Sequence, residues 1–172
     1  MSNESIREAL QNAIGYLTAH PDDARSTDSI ATATIEEGLR CRIQGPDGAE
    51  IYTDMVTSVG GSNTAPSPGW MLRAATASCV ATLIAMKAAL DGAELGNVEV
   101  TVDSQSDDLG ILGIGDGVPA GPLSVSVRVS VKSKGTDPET LRELVAWAHD
   151  HCPLCDLTKR EVPITLETEI VD

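Results

Sequence analysis

Phenylalanine is absent from the chain, and two Trp and two Tyr bring the aromatic share of its 172 residues to only 2%. A core built without large rings must come from Val, Ile, Leu and Ala. With 41% hydrophobic residues there is enough material for one, which excludes global disorder. Cations are scarce as well. Twelve Lys and Arg stand against 26 Asp and Glu, a formal charge of -14, with a pI near 4.4. That balance excludes a nucleic-acid or anionic-membrane surface, because both need clustered positive charge. No basic start followed by an apolar run opens the sequence, so no secretory signal is visible, and a reducing cytoplasmic setting is the expectation. Under those conditions the four cysteines, Cys41, Cys79, Cys152 and Cys155, need not be two structural disulfides. Repeats and low-complexity tracts are also missing. The length fits one domain of ordinary size.

The pattern along the chain is α+β. Residues 5–19 read as a helix with Ile6, Leu10, Ile14 and Leu17 on one face and Ser5 and Glu8 as a capping box. The polar stretch after His20-Pro21 reads as a connector, so residues 1–28 are expected to be an appendage to a main domain at 29–172. Strands are expected at 29–36, at 39–44 and around Ile51-Tyr52, the last two separated by the Gly45-Pro46-Asp47-Gly48 turn. Residues 70–90 are long and apolar, but they are rich in Ala, Thr and Ser and carry Arg73 and Lys87, so they read as a buried central helix and not a membrane span. Strands follow at 98–103 and 123–133, the second with Val125, Val127, Val129 and Val131 facing inward. Between them lies a Gly-rich, acidic loop of a length that is often functional. Asp137-Pro138 starts a helix, Pro153 starts a short one, and residues 164–171 alternate as a terminal strand.

The thiols differ in their settings. Cys41 shares a strand face with Leu39 and Ile43 and reads as a packed hydrophobe. Cys79 is mid-helix, far from the end turns where the helix dipole acts, so it is either an inert buried thiol or one activated by a cation from elsewhere. Arg40 and Arg42, together on the outward face of an early strand, are the candidate cations; the alternative for both is a solvated edge. Arg73 shares the helix but falls on a different face from Cys79. Cys152 precedes Pro153 and therefore reads as a helix N-cap, where backbone N–H groups favour a thiolate. Cys152-Pro153-Leu154-Cys155 is a CxxC, but it follows a helix, whereas the thioredoxin-like motif follows a strand. His149, His151, Cys152 and Cys155 have the donor types zinc accepts. Exposed histidines closing a helix are the preferred reading, and no metal is expected.

Gly60-Gly61, Pro68, the Ala-rich helix with Ala77-Ser78-Cys79, the strand LGNVEVTVDS and a later helix running into His151-Cys152-Pro153 occur in an order and spacing that resembles the OsmC/Ohr family over residues 30–171. The resemblance implies antiparallel sheets wrapped around central helices, an intertwined homodimer and active sites at the subunit interface. It implies a cysteine-based thiol peroxidase acting on organic hydroperoxides or hydrogen peroxide without cofactor. Cys79 would be the peroxidatic residue, Cys152 the resolving one and Arg40 the activating cation, with Arg42 next to it. An external dithiol would reduce the Cys79–Cys152 disulfide. One departure stands out: where the better-known family peroxidases carry a Glu after the Pro, this chain has Gly69. Two other readings remain, a non-catalytic dimeric module binding a small ligand and a disulfide oxidoreductase using Cys152 and Cys155.

Overall fold

The computed structural model describes residues 2–171. The elements run α1 (Asn3–Ala19), β1 (Thr32–Glu37), β2 (Arg40–Gln44), β3 (Glu50–Thr53), α2 (Pro68–Asp91), β4 (Leu95–Gln105), α3 (Asp108–Leu112), β5 (Ser124–Ser133), α4 (Pro138–Asp150) and α5 (Pro153–Lys159). They form two antiparallel sheets, one of order β1-β2-β3 and one of β4-β5, so the expected α+β class holds.

Helix ends follow local chemistry. The Ser67 hydroxyl caps α2 by accepting from the Trp70 amide at 3.2 Å, and Pro68 occupies the first turn, where a missing N–H is harmless. Gly92, at φ 77°, ends the helix in the left-handed conformation. In α4 the Asp137 carboxylate accepts from the Glu139 and Thr140 amides, both at 3.0 Å. The capping box expected from Ser5 and Glu8 is not formed. The helix begins earlier, and Ser2 caps it by accepting from the Ser5 amide at 3.2 Å. α1 packs against α2, and the Arg7 guanidinium donates to the Ala89 carbonyl at 2.6 Å.

The core lies where α2, α4 and α5 meet the inner face of the second sheet. Val80, Ile84 and Ala88 of α2 pack with Leu144, Ala148, Cys152 and Cys155, all buried. By length and composition α2 is apolar enough to cross a membrane; here these residues instead centre the fold. β4 and β5 supply a valine ladder, Val98 opposite Val131, Val100 opposite Val129 and Val102 opposite Val127; of the inward set expected from alternation these three β5 valines are turned in, while Val125 at the strand's start and Leu123 before it are exposed.

The first sheet, by contrast, packs chiefly on itself. Its connection to α2 is a loop that only glycine permits. Gly60 has φ 90°, and a Cβ on Gly61 would stand 1.9 Å from the Met55 carbonyl oxygen.

Two further expectations change. Residues 164–171 form no strand: they pair with no other strand among the described residues, and Ile164, Leu166 and Ile170 are about nine-tenths exposed. A period-two pattern makes a strand only when an edge is there to pair with it. The Gly-rich loop is also more ordered than its composition implies. It contains α3, capped by the Asp107 side chain, and Gly110 packs so closely that a Cβ would lie 2.1 Å from the Pro119 carbonyl oxygen.

Candidate functional site

Three of the four cysteines converge. Cys79 projects half-buried from the middle of α2 and packs against the cluster that holds Cys152 and Cys155. Cys152 is fully buried and Cys155 is 5% exposed. The Cys152 thiol lies near enough to those of Cys79 and Cys155 to shift the acidity of both. All four cysteines are reduced. Cys41 lies apart on β2, half-buried, its thiol directed at the Arg42 carbonyl at 3.9 Å.

Their acidities diverge for physical reasons. Burial pushes the Cys79 thiol up to about 11, and the adjacent Cys152 adds to the rise. Cys155 is likewise raised to about 11, mainly by burial and then by Cys152. Cys152 itself moves the other way. Burial would raise it, but the Cys155 amide, the Cys79 and Cys155 thiols and the Leu154 amide together outweigh that, and the net direction is down. It occupies the N-cap of α5 ahead of Pro153, as the sequence predicts. Its sulfur makes no formed cap hydrogen bond, so the amides act on it through their field. Within one chain, then, Cys152 is the more acidic thiol and Cys79 is protonated at neutral pH.

The two candidate arginines are held on the first sheet. Arg40 lies 3.8 Å from Glu36, donates to the Thr64 hydroxyl at 2.8 Å and stacks 4.3 Å from the centre of the Tyr52 ring. Arg42 Nε is 2.9 Å from a Glu36 oxygen, an ion pair without hydrogen-bond alignment, and Arg42 reaches Glu50 at 3.6 Å. Glu36 thus holds both cations. The contacts that fix Arg40 within its own chain do not include Cys79. Arg73, on its different face of α2, is bonded to Ser104 of β4 at 3.1 Å.

Asp54 is a site residue that sequence reasoning missed. It is 1% exposed, and its carboxylate accepts from the Met55, Ser62 and Thr64 amides at 2.7, 3.2 and 3.0 Å and from the Thr64 hydroxyl at 2.9 Å. The Thr64 amide leads in lowering its pKa to about 2; burial opposes this, and the Thr64 hydroxyl and the other two amides reinforce it. A continuous line therefore runs from Asp54 through Thr64 to the Arg40 guanidinium. An Asp closing a strand just before a Gly-Gly loop is the available signal, since such residues satisfy loop amides.

His151 closes α4 with Nδ1 2.7 Å from the Trp147 carbonyl and its ring stacked on Trp147 at 4.1 Å. His149 faces Asp150 at 3.2 Å. Both act at the helix end, as the sequence reading has it. Among the described residues no group of three His, Cys, Asp or Glu side chains is arranged to hold a metal. β5 and α4 leave an open, mainly apolar groove of about 600 Å³ lined by Val125, Val127, Val129, Leu141 and Val145, with Arg142 and His149 also in its wall.

The family model described as OsmC-like protein matches residues 61–167. No curated protein sequence matches. Among solved structures, the organic hydroperoxide resistance protein OsmC of Legionella pneumophila superimposes with a TM-score of 0.56 at 22% identity, covering 77% of this chain and 89% of that one. The OsmC-like protein of Mycoplasma pneumoniae gives 0.66 at 13% identity over 78% and 89%. OhrB of Bacillus subtilis, an organic hydroperoxide resistance protein, gives 0.51 at 25% identity over 77% and 91%.

Proposed function

The chain belongs to the OsmC-like family, and from that premise we propose that it is a cysteine-based hydroperoxide reductase working as a homodimer. The observation that carries this reading is the apposition of Cys79 and Cys152 in a core that does not require either as a thiol. In the proposed cycle the Cys79 thiolate attacks the distal peroxide oxygen. The O–O bond breaks, alcohol or water leaves, and Cys79 becomes a sulfenic acid. Cys152, the more acidic neighbour, attacks that sulfur, water departs, and a Cys79–Cys152 disulfide forms. An external dithiol returns both to thiols.

The electrostatic requirement of the first step is specific. A thiol raised to about 11 is nearly all protonated at neutral pH, so a cation must come to Cys79. Arg40 is our assignment, delivered from the first sheet of the second subunit. That sheet packs little on its own chain, and Glu36 with the Asp54–Thr64 line pre-sets its arginine. In this account Glu36 takes the place of the Glu that Gly69 replaces. Peroxide turnover with a dithiol reductant, compared between wild type and Cys79→Ser, tests the reading; wild-type turnover with loss in the variant is expected, and equal rates would overturn it.

The apolar groove along β5 and α4 favours one second reading, a dimeric module that holds an apolar small ligand without chemistry. It predicts that mild peroxide leaves the intact mass unchanged.

A further inference from the structure

The cycle above leaves Cys155 unused, yet Cys152 stands between two thiols, Cys79 on one side and Cys155 on the other. The two sides open onto different surroundings. Cys155 lines a narrow cleft of about 80 Å³ bounded by Thr76 and by the basic residues Arg73, His149 and Lys159; neither Cys79 nor Cys152 lines it. No carboxylate is in that lining, although Asp150 pairs behind it with both His149 and Lys159. In a chain of net charge -14, three basic side chains around one buried thiol are a local exception. Cys152 and Cys155 are three residues apart at a helix start, which sets their Cα atoms about 5 Å apart, inside the span a disulfide bridges.

We propose that Cys155 is the exit thiol of a three-cysteine relay, an inference that rests on the peroxidase reading. The Cys155 thiolate attacks the sulfur of Cys152 in the Cys79–Cys152 disulfide. The Cys152–Cys155 bond forms as the Cys79–Cys152 bond breaks, and Cys79 leaves as the thiolate. Electrons are conserved within the protein, and the proton lost by Cys155 is available to Cys79. A small dithiol reductant then attacks Cys155 from the cleft and expels Cys152 as thiolate; its second thiol closes the reductant's own disulfide and releases Cys155. Lys159 beside Cys155 favours the attacking anion, against the burial that disfavours it. The relay moves the oxidised bond away from the face that meets peroxide and frees Cys79 before reduction is complete.

Tryptic mapping reads the outcome directly. Cys79 falls on peptide 74–87, and Cys152 and Cys155 both fall on 143–159. A Cys79–Cys152 bond therefore joins two peptides, while a Cys152–Cys155 bond leaves one peptide two mass units lighter. The assembled full-length protein is treated with one equivalent of cumene hydroperoxide or, in a parallel arm, of diamide, which makes disulfides without peroxide. Samples are acid-quenched over time and alkylated. The cross-linked pair is expected to appear first with peroxide and give way to the looped peptide, with Cys79 again alkylatable; diamide is expected to end at the looped peptide. Cys155→Ser is expected to stop at the cross-linked pair and to slow dithiothreitol recycling by at least about tenfold, with the first oxidation of Cys79 unchanged. A diamide arm that ends at Cys79–Cys152 with Cys155 alkylatable overturns the relay, whatever peroxide does. A peroxide arm that leaves all thiols intact while diamide yields the looped peptide overturns the peroxidase reading and keeps only the preference for the Cys152–Cys155 bond.

Discussion

Around Asp54 a buried carboxylate is kept ionised by three amides and a hydroxyl; around Cys79 a half-buried thiol is kept neutral by its apolar setting and by another thiol. The first region is polar, fixed by hydrogen bonds, and leads through Thr64 to Arg40, which shares Glu36 with Arg42. The second is packed from Val, Ile, Leu and Ala, and holds the Cys79 sulfur with no cation of its own chain acting on it. Each has what the other lacks. Within one chain the two lie apart, the first sheet packing chiefly on itself. An interface between two copies allows them to meet only when assembled, which in our account is what turns the thiol into a nucleophile.

The contrast can be broken most severely at the sulfur itself. Cys79→Ser should lower dithiol-dependent peroxide turnover to the uncatalysed level, a loss of roughly a thousandfold or more. Removing the cation should do less. Arg40→Ala should lower the Cys79 thiolate fraction at pH 7 by roughly 10- to 1000-fold, the one to three pKa units that an opposite charge supplies. Iodoacetamide labelling of Cys79 against pH reads this, with the rate profile moving to higher pH in the variant. Arg40→Lys should recover part of the shift, as it restores the charge without the planar fork.

Stability separates the two regions again. Leu144, 2% exposed, is central to the thiol core, and Leu144→Ala should cost about 2–5 kcal/mol in denaturant unfolding. On the polar side the signature is pH. The folded pKa of Asp54, about 2, lies below its unfolded value of roughly 3.9. Its contribution is therefore complete above the unfolded value and is lost as pH falls through the folded one. Asp54→Asn should lower the melting temperature at pH 7 and flatten the part of the acid unfolding curve between about pH 4 and pH 2. A curve identical to wild type would remove Asp54 from the account.

Legibility in the sequence followed the same division. The apolar region could be read from its pattern: the inner valines of β5, the long apolar run of α2 and the Pro-led starts of α4 and α5 stand where the sequence puts them. Cys152 as N-cap follows from Pro153 alone. Residues whose roles depend on distant partners were not legible. Asp54 is one acidic residue among 26 until the fold brings the Ser62 and Thr64 amides to it. The terminal alternation at 164–171 has the right residues but pairs with no strand among the described residues. Cys155 could not be placed from its spacing, since the basic cleft it lines is assembled from α2, α4 and α5 together.

The central claim is that Arg40 of one subunit activates Cys79 of the other. Co-expressing an Arg40→Ala chain and a Cys79→Ser chain under different tags, and purifying the mixed dimer through both, places the two intact residues together in one of its two sites. The Cys79→Ser homodimer should not turn over peroxide above background, and the Arg40→Ala homodimer should run roughly 10- to 1000-fold below wild type. The mixed dimer should show about half the wild-type turnover, because an isologous interface gives one complete and one empty site. Activity no higher than that of the Arg40→Ala homodimer would contradict the account.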